Sequence, residues 1–123
     1  MDISQISASA LAYLGDSVLE ALIRENLVLK GYEKSAKLNK EALNYVTAVK
    51  QAEAFKNIEN ALTEEEASVF RRGKNSSHLN APKSASLLEY KIATGFEAVF
   101  GYLRLTKNEE RILELFALAY PEI

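Results

Sequence analysis

Two long apolar stretches, each interrupted by a single acidic side chain, constrain this chain more than any other feature. Asp16 is the only charged residue between Ile3 and Leu19, and Glu97 is the only one between Ile92 and Leu103. A carboxylate set among residues that pack together is costly unless a cation or a full set of hydrogen bonds compensates it. Both acids also lie close to a glycine, in Gly15-Asp16 and Gly95-Phe96-Glu97. Matching interruptions in two segments far apart in the chain point to one shared site.

The periodicity around them is helical nearly throughout. Leu11, Leu14, Val18 and Leu22 recur at spacings of three and four, which predicts a helix from Ser7 to about Leu29. Lys30-Gly31 closes it, a cation in the last turn followed by a glycine. Ser35 to Lys40 reads as a short helix leading into a longer one from Glu41 to Ile58, with Leu43, Val46, Val49 and Phe55 facing inward. Three pairs at capping-box spacing, Thr63 with Glu66, Ser86 with Glu89 and Thr106 with Glu109, predict three further helix starts. The first of these helices is expected to stop at Arg72-Gly73, the second to reach Leu105 and the third to end at Tyr120-Pro121. Gly73 to Ser84, polar and containing Pro82, reads as a loop. Strand alternation is sustained nowhere, so the expected class is all-α, a multi-helix bundle. At 123 residues and 48% hydrophobic, the chain suffices for one core and is too short for two ordinary domains, so 1–123 is expected to be a single domain.

Helical geometry then places the acids. At about 100° per residue, Asp16 shares a face with Ala12, Leu19, Glu20 and Ile23, and Glu97 shares one with Ala93, Thr94 and Gly101. Gly15, Gly95 and Gly101 remove bulk where two such helices touch, which lets the backbones approach and the carboxylates meet. Two neighbouring carboxylates repel, and one takes up a proton unless a cation sits between them. All-oxygen ligation with few protein ligands suits Mg²⁺, which keeps several waters and accepts phosphate oxygens. Such an ion activates water and offsets charge on a phosphate, so phosphodiester hydrolysis is the expected chemistry. Glu20, four residues before Arg24, reads as a solvated partner of that arginine rather than a ligand.

Composition narrows the alternatives. The absence of cysteine excludes disulfide frameworks, thiolate zinc sites and cysteine nucleophiles, and one histidine, His78, makes a histidine-based metal or triad site implausible. No apolar run reaches the roughly 20 residues a bilayer demands, and the first residues lack a cleavable leader pattern, so a soluble, cytoplasmic protein without membrane contact is expected. The net charge of −2 argues only weakly against a nucleic-acid partner, because charge is segregated along the chain. Between Ala67 and Leu88 there is no acid, while Arg71, Arg72, Lys74 and Lys83 all fall there together with Asn75. That donor-rich stretch suits the phosphates and 2′-hydroxyls of duplex RNA. Arg71 and Arg72 have a second reading, as cations favoured at a helix C-terminus. Lys30, Lys34, Lys37 and Lys40 read as a solvated face. Tyr13, Tyr90, Phe96 and Phe100 are expected in the core or at a subunit interface.

Leu11-Ala12-Tyr13-Leu14-Gly15-Asp16-Ser17-Val18-Leu19-Glu20 resembles the signature of the ribonuclease III family. Thr94-Gly95-Phe96-Glu97-Ala98-Val99-Phe100-Gly101-Tyr102-Leu103 is similar to that family's second acidic motif. Tyr45-Val46-Thr47-Ala48 followed by Gln51-Ala52, and Arg71-Arg72-Gly73-Lys74-Asn75, resemble stretches typical of the short bacterial branch, Mini-ribonuclease III, to which the lack of room for a double-stranded-RNA-binding domain also conforms. The resemblance implies an all-helical endonuclease domain that works as a homodimer, cuts double-stranded RNA with Mg²⁺ (Mn²⁺ substituting) and matures the large-subunit ribosomal RNA precursor. Asp16 matches the signature aspartate and Glu97 the glutamate of the second motif, both as metal ligands and catalytic groups. Full-length family members carry two more acids, at the positions of Ala12 and Thr94, a departure the short branch shares. The alternative is a catalytically silent RNA-binding relative acting in ribosome assembly.

Overall fold

Ser7 opens the first long helix by accepting a hydrogen bond from the Ala10 amide, and Gly31, at a φ of 102°, turns the chain away after it. The computed structural model describes residues 2–76 and 85–123, which contain six α-helices and no strand. They are α1 (Ala8–Leu29), α2 (Ser35–Val46), α3 (Ala48–Lys56), α4 (Glu64–Ser76), α5 (Leu87–Leu105) and α6 (Glu109–Ala119), with short 3₁₀ turns at Ile3–Gln5 and Glu59–Ala61. The all-α expectation holds. α1 and α5, the two helices carrying the lone acids, form the centre, and α3 and α4 pack on α5 while α2 packs on α1. Leu11, Leu19, Ile23, Leu27, Phe96, Phe100 and Leu103 from the central pair are fully enclosed, joined by Ile112 and Leu115 of α6. Their breadth around both helices fits elements packed on several sides.

Four local expectations need correction. The break in the Ser35–Ile58 stretch falls at Thr47 rather than at Lys40-Glu41. Thr47 adopts extended backbone (ψ 157°) and its hydroxyl accepts from the Lys50 amide, so it ends α2 and caps α3, whereas Lys40 and Glu41 carry nothing that stops a helix. Leu43, expected inward, is 58% exposed because α2 covers only one flank of α1. α4 runs past Gly73 to Ser76. Gly73 is buried against α5, where an added Cβ would come within 2.8 Å of the Gly95 Cα, so this glycine serves helix packing and not helix termination. Last, Thr106 and Glu109 form no capping box. The Thr106 hydroxyl donates to the Tyr102 and Leu103 carbonyls at the end of α5, and α6 starts after Asn108.

The other two capping boxes form as expected. Ser86 and Glu89 exchange hydrogen bonds of 2.9 and 3.1 Å, as do Thr63 and Glu66. Glu66 does more than cap. Its carboxylate is buried and receives the Arg111 guanidinium at 2.8 and 2.9 Å, and that guanidinium also donates to the Ala61 carbonyl and to Glu114. Burial pushes the Glu66 carboxyl upward, but hydrogen bonds from Arg111 and Thr63 outweigh it and hold the group below its ordinary value. This network ties α6 to the start of α4.

Candidate active site

The glycines set the distance between the central helices. A Cβ on Gly15 would overlap the Glu97 carbonyl oxygen and lie 2.6 Å from that carbonyl carbon, and a Cβ on Gly101 would overlap the Leu11 carbonyl, 2.8 Å from its carbon. Only backbones without side chains cross this closely. Because Gly15 precedes Asp16 and itself meets Glu97, the crossing that removes bulk also brings the two carboxylates together.

They line one cleft of about 220 Å³. α1 contributes Ser9, Ala12, Tyr13 and Asp16, α4 contributes Ser76, and α5 contributes Tyr90, Thr94 and Glu97. Ala12 and Thr94, one turn before the acids, open into the same space. Asp16 is exposed: α1 is apolar around it, yet its Tyr13–Asp16–Ser17 face looks outward. Glu97 is partly buried, and burial, the neighbouring Asp16 charge and a hydrogen bond with Asp16 push its carboxyl up to about 8. A hydrogen bond from the Gln51 amide opposes that rise, and the charge of Glu20 adds weakly to it. Among the described residues no salt bridge includes Asp16 or Glu97, and no group of three or more Asp, Glu, His or Cys side chains is arranged around a common point. Glu20 pairs with Arg24 at 3.3 Å, as its spacing predicts.

The basic stretch divides. Arg71 and Asn75 are exposed on α4, and Lys74 lies in its last turn. Arg72 donates to the Ile6 carbonyl at 2.8 Å, fastening the segment that leads into α1. Lys83 and His78 lie outside the described residues. Phe96 and Phe100 are core residues in edge-to-face contact at 5.2 Å, while Tyr13 is 86% exposed.

Gln51 is the residue that site reasoning overlooked. It belongs to the buried face of α3 with Ala52, Ala54 and Phe55, only 4% exposed, and it reaches Glu97. An amide on an otherwise apolar stripe was the available signal. Ser76, expected in the donor-rich loop after Gly73, instead lines the cleft from the last turn of α4.

The helical fold and the paired acids at a glycine crossing define a compact two-carboxylate site, and comparison with known proteins identifies its family. Residues 9–108 match the Ribonuclease III domain. The chain is 47% identical over 109 residues to the Mini-ribonuclease 3 of Symbiobacterium thermophilum, covering 89% of this chain and 84% of that one. It is 43% identical over 125 residues to the Mini-ribonuclease 3 of Streptococcus pneumoniae, covering 100% and 98%. A crystal structure of a protein from Fusobacterium nucleatum superposes with a TM-score of 0.87 at 37% identity over 96% of each chain. The chain belongs to the ribonuclease III family, in its Mini-ribonuclease III branch. Membership supports an endonuclease that acts on RNA.

Proposed function

We propose that this protein is a Mg²⁺-dependent endoribonuclease that hydrolyses phosphodiester bonds of double-stranded RNA, with Asp16 and Glu97 as the catalytic, metal-holding pair. The observation that carries the reading is the convergence of these two acids, 81 positions apart by their numbers, on one cleft at the crossing of α1 and α5. The donor set fits a divalent cation. It is all oxygen, it is open to solvent on the Asp16 side, and its mutual repulsion is relieved by no salt bridge among the described residues. When bound, Mg²⁺ supplies an activated water at neutral pH and offsets the charge that develops on the phosphate.

The chain's own residues do the rest. Asp16 presents its carboxylate at the mouth of the cleft and Glu97 stands deeper, its own carboxyl pushed up by burial and by the Asp16 charge when no cation is present. The Thr94 and Ser76 hydroxyls donate to the Tyr90 and Gly73 carbonyls at 3.0 and 2.9 Å, so towards a ligand they can only accept. Ala12 and Thr94 supply no carboxylate, which leaves more of the cation's shell to water and RNA phosphate. Arg71, Arg72, Lys74, Asn75 and Lys83 grip the RNA backbone by charge and hydrogen bonding, a mode that reads shape more than sequence.

A homodimer would set two such clefts on opposite strands of one duplex, and exposed Tyr13 beside Asp16 offers it an aromatic contact. The ribosomal RNA precursor as substrate and a cytoplasmic site of action rest on the family resemblance. No helix among the described residues is long and apolar enough to cross a membrane. The test is cleavage of long duplex RNA with and without Mg²⁺. Cleavage should require the ion, and Asp16→Asn and Glu97→Gln should each slow it on the order of 10²-fold or more while duplex binding persists. Unchanged cleavage in either variant would refute the assignment, and no cleavage by the unaltered protein would favour a silent RNA-binding relative.

A further inference from the structure

Gly73 brings the end of α4 to the cleft. A Cβ there would come within 2.8 Å of the Gly95 Cα and 3.2 Å of the Thr94 carbonyl oxygen, so the bare glycine lets the last turn of α4 close on α5 beside Thr94. Ser76, three residues on and on the same side of the helix, lines the cleft with Asp16, Thr94 and Glu97. Arg71, Lys74 and Asn75 belong to the same stretch of α4. The helix that carries the basic side chains thus delivers one uncharged hydroxyl to the acids.

That hydroxyl has a fixed polarity. It donates to the Gly73 carbonyl at 2.9 Å. The last four carbonyls of a helix have no amide partner within it, and Gly73 is among those four in α4, so the Ser76 proton is held where the backbone needs a donor. The oxygen is left to accept. A phosphate oxygen cannot pair with it, because both groups would be acceptors. The donor that an RNA backbone does offer is the ribose 2′-hydroxyl, on the carbon next to one that bears a phosphate ester, and DNA lacks it. Thr94 is likewise committed, to the Tyr90 carbonyl at 3.0 Å, but it stands on α5 one turn before Glu97, whereas Ser76 comes from the helix assigned to the RNA backbone.

We propose that Ser76 is a specificity-determining residue: its hydroxyl oxygen accepts a hydrogen bond from a ribose 2′-hydroxyl of the strand in the cleft and so favours RNA over DNA there. The inference rests on the nuclease reading above and names the group of the substrate that the cleft recognises.

The test uses the full chain and a duplex RNA on which the bond cut by the unaltered protein has been mapped. A second duplex carries 2′-fluorine in place of the 2′-hydroxyl on the two riboses flanking that bond, which keeps the A-form sugar but donates nothing. The unaltered protein should cleave the all-ribose duplex about 2- to 10-fold faster in kcat/KM, the worth of one neutral hydrogen bond. Ser76→Ala should cleave both duplexes at similar rates and Ser76→Thr should restore the preference, with helical circular dichroism retained and the Mg²⁺ needed for half-maximal rate unchanged in both variants. A preference that persists in Ser76→Ala, an equal slowing of that variant on both duplexes, a shifted Mg²⁺ requirement, or no preference in the unaltered protein would each overturn the inference while leaving the nuclease reading intact. Failure of the unaltered protein to cleave either duplex would overturn both.

Discussion

Glu97 makes the cation-free protein sensitive to pH in a direction opposite to that of most acids. Its carboxyl rises from the ordinary 4.5 to about 8 on folding, first through burial and then through Asp16. A group whose folded value is raised binds its proton more tightly in the folded state, so it contributes stability fully below pH 4.5 and loses it as pH climbs through 8. At 1.36 kcal/mol per pH unit the ceiling on that loss is about 5 kcal/mol. The carboxylate is partly open to the cleft, where water screens it, so roughly half is expected, equivalent to about 10 °C in melting temperature for a domain of this size. Thermal and urea unfolding at pH 5 and pH 9 in chelator should therefore show the unaltered protein losing stability across this window while Glu97→Gln loses about 2–3 kcal/mol less. Mg²⁺ at about 100 times its Kd should return about 2.7 kcal/mol at pH 8 to the unaltered protein, and none to Glu97→Gln. If Glu97→Gln followed the same pH slope as the unaltered protein, Glu97 would not be the strained acid and the coupling of fold to cation would be refuted.

Other perturbations address other links. Gly101→Ala drives a Cβ into the Leu11 carbonyl, so the helices must part. A loss of about 1–3 kcal/mol in urea unfolding and on the order of 10² in cleavage rate is expected, and near-native cleavage would show that the crossing does not set the site. Gly31→Ala meets no atom within 4 Å but imposes a φ of 102° on a residue with a side chain; it should cost about 1–2 kcal/mol of stability and leave cleavage unchanged. Arg111→Met strands the buried Glu66 carboxylate and should destabilise by about 3–5 kcal/mol, much of it recovered in the double variant with Glu66→Met, as measured by denaturant titration at pH 7. Since Glu66 is held below 4.5, its contribution is present above that pH and fades in acid, so Arg111→Met should narrow its gap from the unaltered protein as pH falls below 4.

What could be read from the chain before its structure was the part governed by local pattern. The lone acids, their glycines and the apolar stripes specified α1 and α5, because burial on several sides forces an unbroken apolar run and makes any carboxylate in it conspicuous. Ser7, Thr63 and Ser86 announced helix starts through short-range hydrogen bonds that need no tertiary partner. Errors arose where one residue type serves two physical ends. Gly73 looked like a helix terminator, yet its lack of a side chain is used for contact with Gly95 one helix away, and no local pattern distinguishes those uses. Thr106 offered a cap for the following helix, but its hydroxyl turned back to the carbonyls that end α5.

Gln51 shows the deeper limit. In the sequence it is one polar residue between Lys50 and Ala52, and its meaning depends on Glu97, 46 positions later by number, arriving opposite it through the packing of α3 on α5. A carboxylate in an apolar run is conspicuous in sequence because burial penalises it, and an amide on an apolar stripe is conspicuous too, but which of them meet is decided only when the helices are brought together.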